Sequence, residues 1–198
     1  MNLPKPLILA SQSPRRQEIL ALAGFEFSVH PAEGEYAPEG LPPYDRVCSL
    51  ARSKAEQIAP LYPNSLILGS DTMVVLDDVA LGKPVDEEDA IRMLLSLQNR
   101  THQVMTGVWV IETDDAGNAV KSSGFTDVTT VDFWGFSEGE AAEYVATKEP
   151  MDKAGAYGIQ GKGMRFVKGI QGDYFTVMGL PGSRLIRFMS DFLSESEK

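Results

Sequence analysis

Residues 7–16 read Leu-Ile-Leu-Ala-Ser-Gln-Ser-Pro-Arg-Arg, and this stretch predicts a buried strand followed directly by a helix. The apolar run that begins at Leu7 is typical of a strand buried on both faces. Ser13 has the side chain of a helix N-cap, Pro14 suits the first helical position, and Gly24 ends the predicted helix. A buried strand that leads into a helix is a typical opening of an α/β fold.

The remainder of the chain continues with strand and helix patterns. Further helices are predicted at residues 44–59 and 86–97, after a capping box at residues 137–140, and near the C-terminus. Further strands are predicted at residues 25–29, 65–69, 73–76, 79–81, 104–112, 121–133, 165–170 and 174–178. Because hairpins occur among the helices, we expect an α/β or α+β fold with a mixed sheet. We expect a single domain over residues 1–198, in which 194–198 form a frayed tail.

Composition excludes several classes of protein. The 198 residues include 18 basic and 28 acidic side chains, which gives a formal net charge of −10. A chain this acidic lacks the basic face on which bulk binding of nucleic acid depends. No apolar run approaches the roughly 20 residues of a membrane helix, and the N-terminus has no signal-peptide pattern. The single cysteine, Cys48, excludes a disulfide framework. We therefore expect a cytoplasmic protein that binds neither nucleic acid nor membranes.

The first candidate site is the junction between the predicted strand and helix. Ser11 and Ser13 supply hydroxyls there, and Arg15 and Arg16 supply two positive charges. Arginines have the wrong sign for the positive end of the helix dipole, and a bound anion removes that conflict. The junction therefore favours a phosphate site, although both arginines pointing into solvent is the alternative.

The second candidate is an acidic residue after a predicted strand. Asp71 follows the strand at residues 65–69, where open α/β sheets place ligands, so it can hold a metal or take a proton from water. A turn aspartate that caps local N–H groups is equally consistent with the pattern. Lys54 shares the apolar side of its helix, which indicates either an anionic partner or a lysine that extends to solvent at the edge.

The third candidate region is rich in small residues. Residues 152–161 contain three glycines and two alanines, which allow close approach of backbone to a ligand, and Tyr157 or Gln160 can meet a base. A flexible connecting loop is the alternative. Lys83, in Gly-Lys-Pro, does not form a Walker A motif and by itself is typical of a surface loop. Together the candidates predict binding of a phosphorylated metabolite with a divalent metal.

Six motifs in order carry a resemblance to a known family over essentially the full chain. They are Ala-Ser-Gln-Ser-Pro-Arg-Arg (10–16), Leu-Ala-Arg-Ser-Lys-Ala (50–55), Gly-Ser-Asp-Thr (69–72), Gly-Lys-Pro (82–84), Thr-His-Gln-Val-Met-Thr-Gly (101–107) and Glu-Pro-Met-Asp-Lys-Ala-Gly-Ala-Tyr-Gly-Ile-Gln-Gly (149–161). In these motifs the chain resembles the Maf proteins of the nucleotide pyrophosphatase group. The Ala-Tyr-Gly-Ile-Gln loop is similar to the branch that hydrolyses dTTP and UTP.

The resemblance implies the reaction NTP + H₂O → NMP + diphosphate, with Mg²⁺ or Mn²⁺, by a homodimer in the cytoplasm. It also implies an elongated, two-lobed fold with a central cleft, similar to the inosine triphosphate pyrophosphatases. Asp71 matches the family's proton acceptor. Positions that match Arg15, Thr72 and Gln160 are expected to shape substrate choice.

The remaining roles follow as hypotheses from this resemblance. Arg15, Lys54 and Lys83 neutralise the triphosphate, with Arg16 and Lys153 around the same cleft. Glu35 serves the metal together with Asp71, and Glu33 is the reserve, because Tyr36 stands where the family often has a second acidic residue. Two rival functions stay open. One is removal of modified nucleoside triphosphates, and the other is inhibition of septum formation by binding.

Overall fold

The structure, a computed structural model, describes residues 3–34 and 36–194. The strands are β1 (Leu7–Leu9), β2 (Phe27–Val29), β3 (Leu66–Leu76), β4 (Val79–Leu81), β5 (Thr101–Thr113), β6 (Ala119–Phe133) and β7 (Val167–Gln171). The α-helices are α1 (Pro14–Leu22), α2 (Pro43–Ile58), α3 (Glu87–Leu97), α4 (Glu138–Val145), α5 (Tyr174–Met178) and α6 (Gly182–Ser194). Short 3₁₀ segments lie at Ala59–Leu61, Glu149–Asp152, Ala154–Ala156 and Lys162–Phe166.

The sheet contains both parallel and antiparallel pairs. The strands are hydrogen-bonded in the order β2-β1-β3-β5-β6-β7, and β4 pairs with β3. In the parallel part, Leu9 of β1 lies opposite Val29 of β2 and Leu68 of β3. The β3–β4 and β6–β7 pairs are antiparallel. The mixed α/β fold predicted from the sequence is therefore confirmed.

The chain divides into two compact units. The first unit comprises Met1–Asp71, Thr106–Asp127 and Gly179–Lys198, and the second comprises Thr72–Met105 and Val128–Met178. A buried cluster in the first unit includes Ile8, Ala55, Ile58, Ile67 and Ile111. A buried cluster in the second includes Val74, Leu94, Phe133, Tyr144 and Phe166. The single domain with a central cleft stays a prediction.

Helix boundaries follow the capping signals in the sequence. Ser13 is the N-cap of α1 and Pro14 is its first residue, although the Ser13 hydroxyl makes no capping hydrogen bond. The Asp86 carboxylate accepts the Asp89 N–H at the start of α3. Ser137 and Glu140 form the predicted capping box of α4. Of the predicted tail, Ser194 is the last residue of α6, and residues 195–198 lie outside the described part of the chain.

The prediction that a strand ends at Gly69 was wrong. β3 continues without a break from Leu66 to Leu76, so Asp71 lies inside a strand and neither follows one nor caps a turn. The Gly-Ser-Asp-Thr sequence resembles a turn, but its glycine has a different cause. A Cβ built on Gly69 would lie 2.0 Å from the Ala51 carbonyl oxygen of α2. The glycine therefore allows a helix to pack directly against the strand backbone.

The prediction of a strand at residues 174–178 was also wrong, because this segment forms the short helix α5. Its aromatic and β-branched residues favour a strand by propensity. The Asp173 carboxylate instead accepts the Phe175 N–H at 3.2 Å and the Thr176 hydroxyl at 3.2 Å. This local capping directs the chain into a helical turn and overrides the propensity of the segment.

Candidate active site

A partly buried ion pair joins Lys54, for which the sequence left open an anionic partner or an extension to solvent, to the candidate carboxylate Asp71. Lys54 Nζ of α2 donates to Asp71 Oδ1 of β3 at 2.6 Å. Each side chain is only 14 % exposed. The prediction that Lys54 has an anionic partner is confirmed. Since both charges lie mostly out of water, the pair fixes the orientation of the carboxylate.

Two glycines bring α2 close enough to the sheet for this pair to form. Gly69 precedes Asp71 by two residues and lies under the Ala51 carbonyl. On β5, a Cβ at Gly107 would lie 2.4 Å from the Val47 carbonyl oxygen. Any larger residue at either position would push α2 away from the strands. The glycines in two of the sequence motifs are therefore structural supports of the Lys54–Asp71 pair.

The junction between β1 and α1 is fixed by an arginine. Arg16 Nη1 donates to the Ser11 hydroxyl at 2.9 Å, and Arg16 Nε donates to the Gly179 carbonyl at 2.9 Å. The Ser11 hydroxyl also accepts the Ser13 N–H at 3.3 Å. Ser70, buried on β3, donates to the same Gly179 carbonyl at 3.2 Å. Arg16 thus holds the junction in place, which differs from the solvent-exposed alternative.

The loop predicted to serve a metal is attached to α2. Gln57 Nε2 donates to the Gly34 carbonyl at 3.2 Å, and the Tyr36 N–H donates to the Ser53 hydroxyl at 3.1 Å. Glu33 is exposed on this loop, and Glu35 lies outside the described residues. Among the residues that are described, no group of three or more His, Cys, Asp or Glu side chains forms a metal cluster.

The second unit contains the predicted site residues Thr72, Lys83, Lys153 and Gln160. Thr72 is partly buried, while Lys83 and Gln160 are exposed. Lys153 Nζ donates to the Asp152 carboxylate at 2.7 Å, so a neighbouring acidic residue already balances part of its charge. The Gly155 N–H donates to the Gly82 carbonyl at 3.0 Å, which joins the loop of Lys83 to the glycine-rich segment.

Tyr157 does not have the freedom that base stacking requires. Its side chain is 5 % exposed, and its hydroxyl lies 2.8 Å from Nε2 of the buried His102. The Tyr157 ring packs edge-on against Phe133 at a centroid distance of 4.7 Å. The interpretation of this stretch as a flexible connecting loop is wrong here, because Gly155, Ala156 and Tyr157 are part of the buried core.

Sequence reasoning gave no role to Glu149 or Tyr144, although both organise the glycine-rich segment. The Tyr144 hydroxyl donates to Glu149 Oε1 at 2.9 Å. A Cβ at Gly161 would lie 2.4 Å from Glu149 Oε1. The available signal was the run of glycines within a dozen residues of an acidic residue, since glycine allows a side chain to approach the backbone.

Across residues 3–34 and 36–194, none of the helices combines the length and apolar character that crossing a membrane requires.

Comparisons with known proteins identify the family. A family model described as Maf-like protein matches residues 6–192. The dTTP/UTP pyrophosphatase of Bacillus mycoides (strain KBAB4) is 46 % identical over 196 residues, covering 96 % of this chain and 97 % of the relative. The dTTP/UTP pyrophosphatase of Bacillus pumilus (strain SAFR-032) is 44 % identical over 187 residues, covering 94 % of this chain and 96 % of the relative.

The fold has a counterpart among solved structures. The Ham1 protein of Staphylococcus aureus superposes with a TM-score of 0.51, covering 98 % of this chain and 100 % of that chain. At 15 % sequence identity this likeness shows the fold alone. The sequence relatives and the family model extend over nearly the whole length, and this chain therefore belongs to the family of Maf-like proteins.

Proposed function

We propose that this chain is a nucleoside triphosphate pyrophosphatase that hydrolyses dTTP and UTP to the monophosphate and diphosphate. The names of relatives that are 46 % and 44 % identical support the substrate. The single observation that carries the chemistry is the partly buried pair of Lys54 and Asp71, whose contact is 2.6 Å long. A fixed carboxylate beside a cation is suited to orient water next to a phosphate.

In the proposed mechanism water attacks the α-phosphorus and diphosphate leaves. Asp71 orients that water and accepts its proton. Lys54 holds Asp71 Oδ1 and offsets a negative charge that would otherwise repel the triphosphate. The pair thus reconciles a carboxylate base with an anionic substrate, which a lone aspartate would not do.

Phosphate binding is assigned to the start of α1 and to lysines of the second unit. The α1 N-terminus is the positive end of a helix dipole, and the Ser13 hydroxyl makes no capping bond to the helix. Arg15, Lys83 and Lys153 neutralise the phosphate oxygens. Ser11 and Arg16 support the junction through their contact with each other, so their contribution to phosphate binding is mainly one of position.

A divalent metal, Mg²⁺ or Mn²⁺, is part of the proposal. Mg²⁺ is usually bound by one or two carboxylates together with substrate phosphates, and Asp71 is a carboxylate of that kind. Glu35 supplies the second carboxylate, with Glu33 as the reserve, on the loop that Ser53 and Gln57 attach to α2. When bound, the metal offsets negative charge on the phosphate oxygens.

The choice of base is assigned to Gln160 and Thr72. Gln160 is exposed, and a side-chain amide can pair with the polar edge that thymine and uracil share. A site that hydrogen-bonds its substrate discriminates well, because a mismatched base leaves polar groups unpaired.

The proposal also includes a cytoplasmic location and a homodimer. The single cysteine supports a reducing compartment. The homodimer rests on the family resemblance, and light scattering of the purified protein tests it directly.

Diphosphate release across a nucleotide panel tests the function. The panel contains dTTP, UTP, CTP, ATP, GTP and modified pyrimidine triphosphates, each with and without Mg²⁺. We expect Mg²⁺-dependent diphosphate release that is fastest for dTTP and UTP. Equal rates for all bases would contradict the pyrimidine assignment. Faster turnover of the modified nucleotides would favour the removal of damaged precursors.

A further inference from the structure

A carboxylate and a hydroxyl that are hydrogen-bonded to each other hold the two sides of the turn that carries Gln160. Glu149 Oε2 accepts the Lys162 N–H at 3.0 Å, and Glu149 Oε1 accepts the Gly163 N–H at 3.3 Å. On the other side of the turn, the Tyr144 hydroxyl accepts the Gly158 N–H at 3.1 Å. The same hydroxyl donates to Glu149 Oε1 at 2.9 Å. The Tyr144–Glu149 pair therefore ties residue 158 to residues 162 and 163.

Gln160 lies in the middle of the segment that is held in this way. The Gly161 N–H donates to the Gly158 carbonyl at 3.3 Å, which closes a turn with Ile159 and Gln160 at its centre. Gln160 is exposed, whereas Tyr144 is only 1 % exposed on α4. An exposed side chain is thus carried on a turn whose two ends are anchored in the core of the second unit.

The glycines around Gln160 are required by this anchoring. A Cβ at Gly161 would lie 2.4 Å from Glu149 Oε1, and a Cβ at Gly163 would lie 2.8 Å from the Tyr144 hydroxyl. The Glu149 carboxylate occupies the space at Gly161, and the Gly158 backbone together with the Tyr144 hydroxyl occupies the space at Gly163. The small residues of this segment accordingly serve close packing, which makes the turn rigid.

Glu149 is suited to this role by its charge. Burial alone raises the pKa of Glu149, but the Lys162 N–H, the Tyr144 hydroxyl and the Gly163 N–H lower it below its ordinary value. An ionised carboxylate only accepts hydrogen bonds, so all three donors match it. A neutral amide at the same place would present an N–H₂ group to backbone N–H donors.

We propose that Glu149 is a positioning residue for base selection: through Tyr144 and the turn at residues 158–163 it fixes Gln160 and so sets the preference for uracil and thymine. This inference rests on the proposed function, in which Gln160 reads the base. In this inference Gln160 contacts the base, and Glu149 of the second unit affects the choice between bases only through the position of Gln160.

The test compares kcat/KM for dTTP and for ATP in the wild type, Glu149→Gln and Tyr144→Phe. We expect Glu149→Gln to lower the dTTP-to-ATP ratio by about tenfold, because a small displacement of a recognition group is costly. The loss is expected mainly in KM for dTTP. Tyr144→Phe, which removes one hydroxyl, is expected to act in the same direction more weakly. Glu140→Gln is the matched control and should leave the dTTP-to-ATP ratio unchanged. Glu140 lies in α4, the helix of Tyr144, but it bonds to Ser137 at the start of that helix.

A Gln160→Ala background separates positioning from a general loss of stability. If Glu149 acts through Gln160, the Glu149→Gln change has little further effect on the ratio once Gln160 is alanine. An unchanged ratio in both Glu149→Gln and Tyr144→Phe, with a selective wild type, would overturn the inference alone. A fully additive effect in the Gln160→Ala background would overturn it as well. A wild type without base preference would overturn the proposed base selection itself, and the inference with it.

Discussion

Lys54 Nζ and Asp71 Oδ1 lie 2.6 Å apart, and a glycine two residues before Asp71 allows the helix of Lys54 to contact the strand of Asp71. The carboxylate that we propose as the base is therefore positioned by backbone packing as well as by its own ion pair. Lys54, Gly69 and Asp71 form a single arrangement, in which a change at any one of them should affect the other two.

Asp71→Asn should abolish most of the turnover while the protein stays folded. An amide cannot accept the proton of the attacking water, so we expect kcat for dTTP to fall by at least about 10²–10³-fold, comparable to the loss of one preorganised catalytic group. Steady-state diphosphate release measures the effect. Asp115→Asn, a change of the same kind in an exposed turn, is the control and should behave like the wild type. Wild-type kcat in Asp71→Asn would remove Asp71 from the mechanism.

Gly69→Ala should destabilise the first unit and slow turnover together. The new Cβ would lie 2.0 Å from the Ala51 carbonyl oxygen, so α2 or β3 must move. Overpacking of this kind costs about 1–3 kcal/mol or more, which a urea unfolding curve resolves. In Gly169→Ala the new Cβ meets nothing within 4 Å, and that variant should keep its stability and activity. Equal stability of the two variants would show that the close contact has no energetic consequence.

The two adjacent arginines should respond differently to alanine. Arg16 donates to Ser11 and to the Gly179 carbonyl, so Arg16→Ala should lower the free energy of unfolding by about 1.5–3 kcal/mol. Arg15→Ala should instead raise KM for dTTP, with a smaller effect on stability, because Arg15 is assigned to the triphosphate. Chemical denaturation and steady-state kinetics on both variants measure the contrast. A larger loss of stability in Arg15→Ala, with a larger rise of KM in Arg16→Ala, would contradict both assignments.

Stability should depend on pH through His102. Burial lowers the pKa of His102 to about 4, against a partly opposing effect of Asp132, while the unfolded chain has the ordinary value of 6.5. Between these values the unfolded state binds more protons, so stability is complete above pH 6.5 and is lost as the pH falls toward 4. From pH 7.5 to 5.0 the expected loss is about 2 kcal/mol.

Urea unfolding of the wild type and of His102→Gln at both pH values isolates this contribution. The variant does not titrate at this position, so its stability should change less between pH 7.5 and 5.0. An identical change in both proteins would contradict a buried, neutral His102. Both proteins contain the same carboxylates, so the effect of the carboxylates on the pH dependence cancels in this comparison.

Features that depend on neighbouring residues, such as helix starts, were predictable from the sequence, whereas packing between distant segments was not. The helix starts at Asp86 and Ser137 have their capping hydrogen bonds, and Ser13 is at the N-cap position without one; these positions were predictable because a cap depends on residues only a few positions away. The place of Lys54 on an apolar helix face left two alternatives, an anionic partner or an extension to solvent, and the structure shows the anionic partner. The continuity of β3 was not, since Gly69 looked like a strand end until α2 was seen to pack on it.

The same limit explains what was missed in the glycine-rich segment. The sequence left open a flexible connecting loop or a segment in which Tyr157 or Gln160 meets a base, whereas Tyr157 is hydrogen-bonded to His102, 55 positions earlier in the chain. The run of glycines that follows Glu149 was a local signal, but it does not show which side chain packs against those glycines. Its role depends on Tyr144 and on backbone N–H groups that only the folded chain brings to it.

Hydrolysis of dTTP in ¹⁸O-labelled water tests the central claim most directly. Attack on the α-phosphorus transfers the water oxygen to that phosphorus, so mass spectrometry should find one ¹⁸O in dTMP and none in diphosphate. The same label pattern should form far more slowly with Asp71→Asn. Label in the diphosphate, or release of orthophosphate in its place, would contradict the proposed reaction.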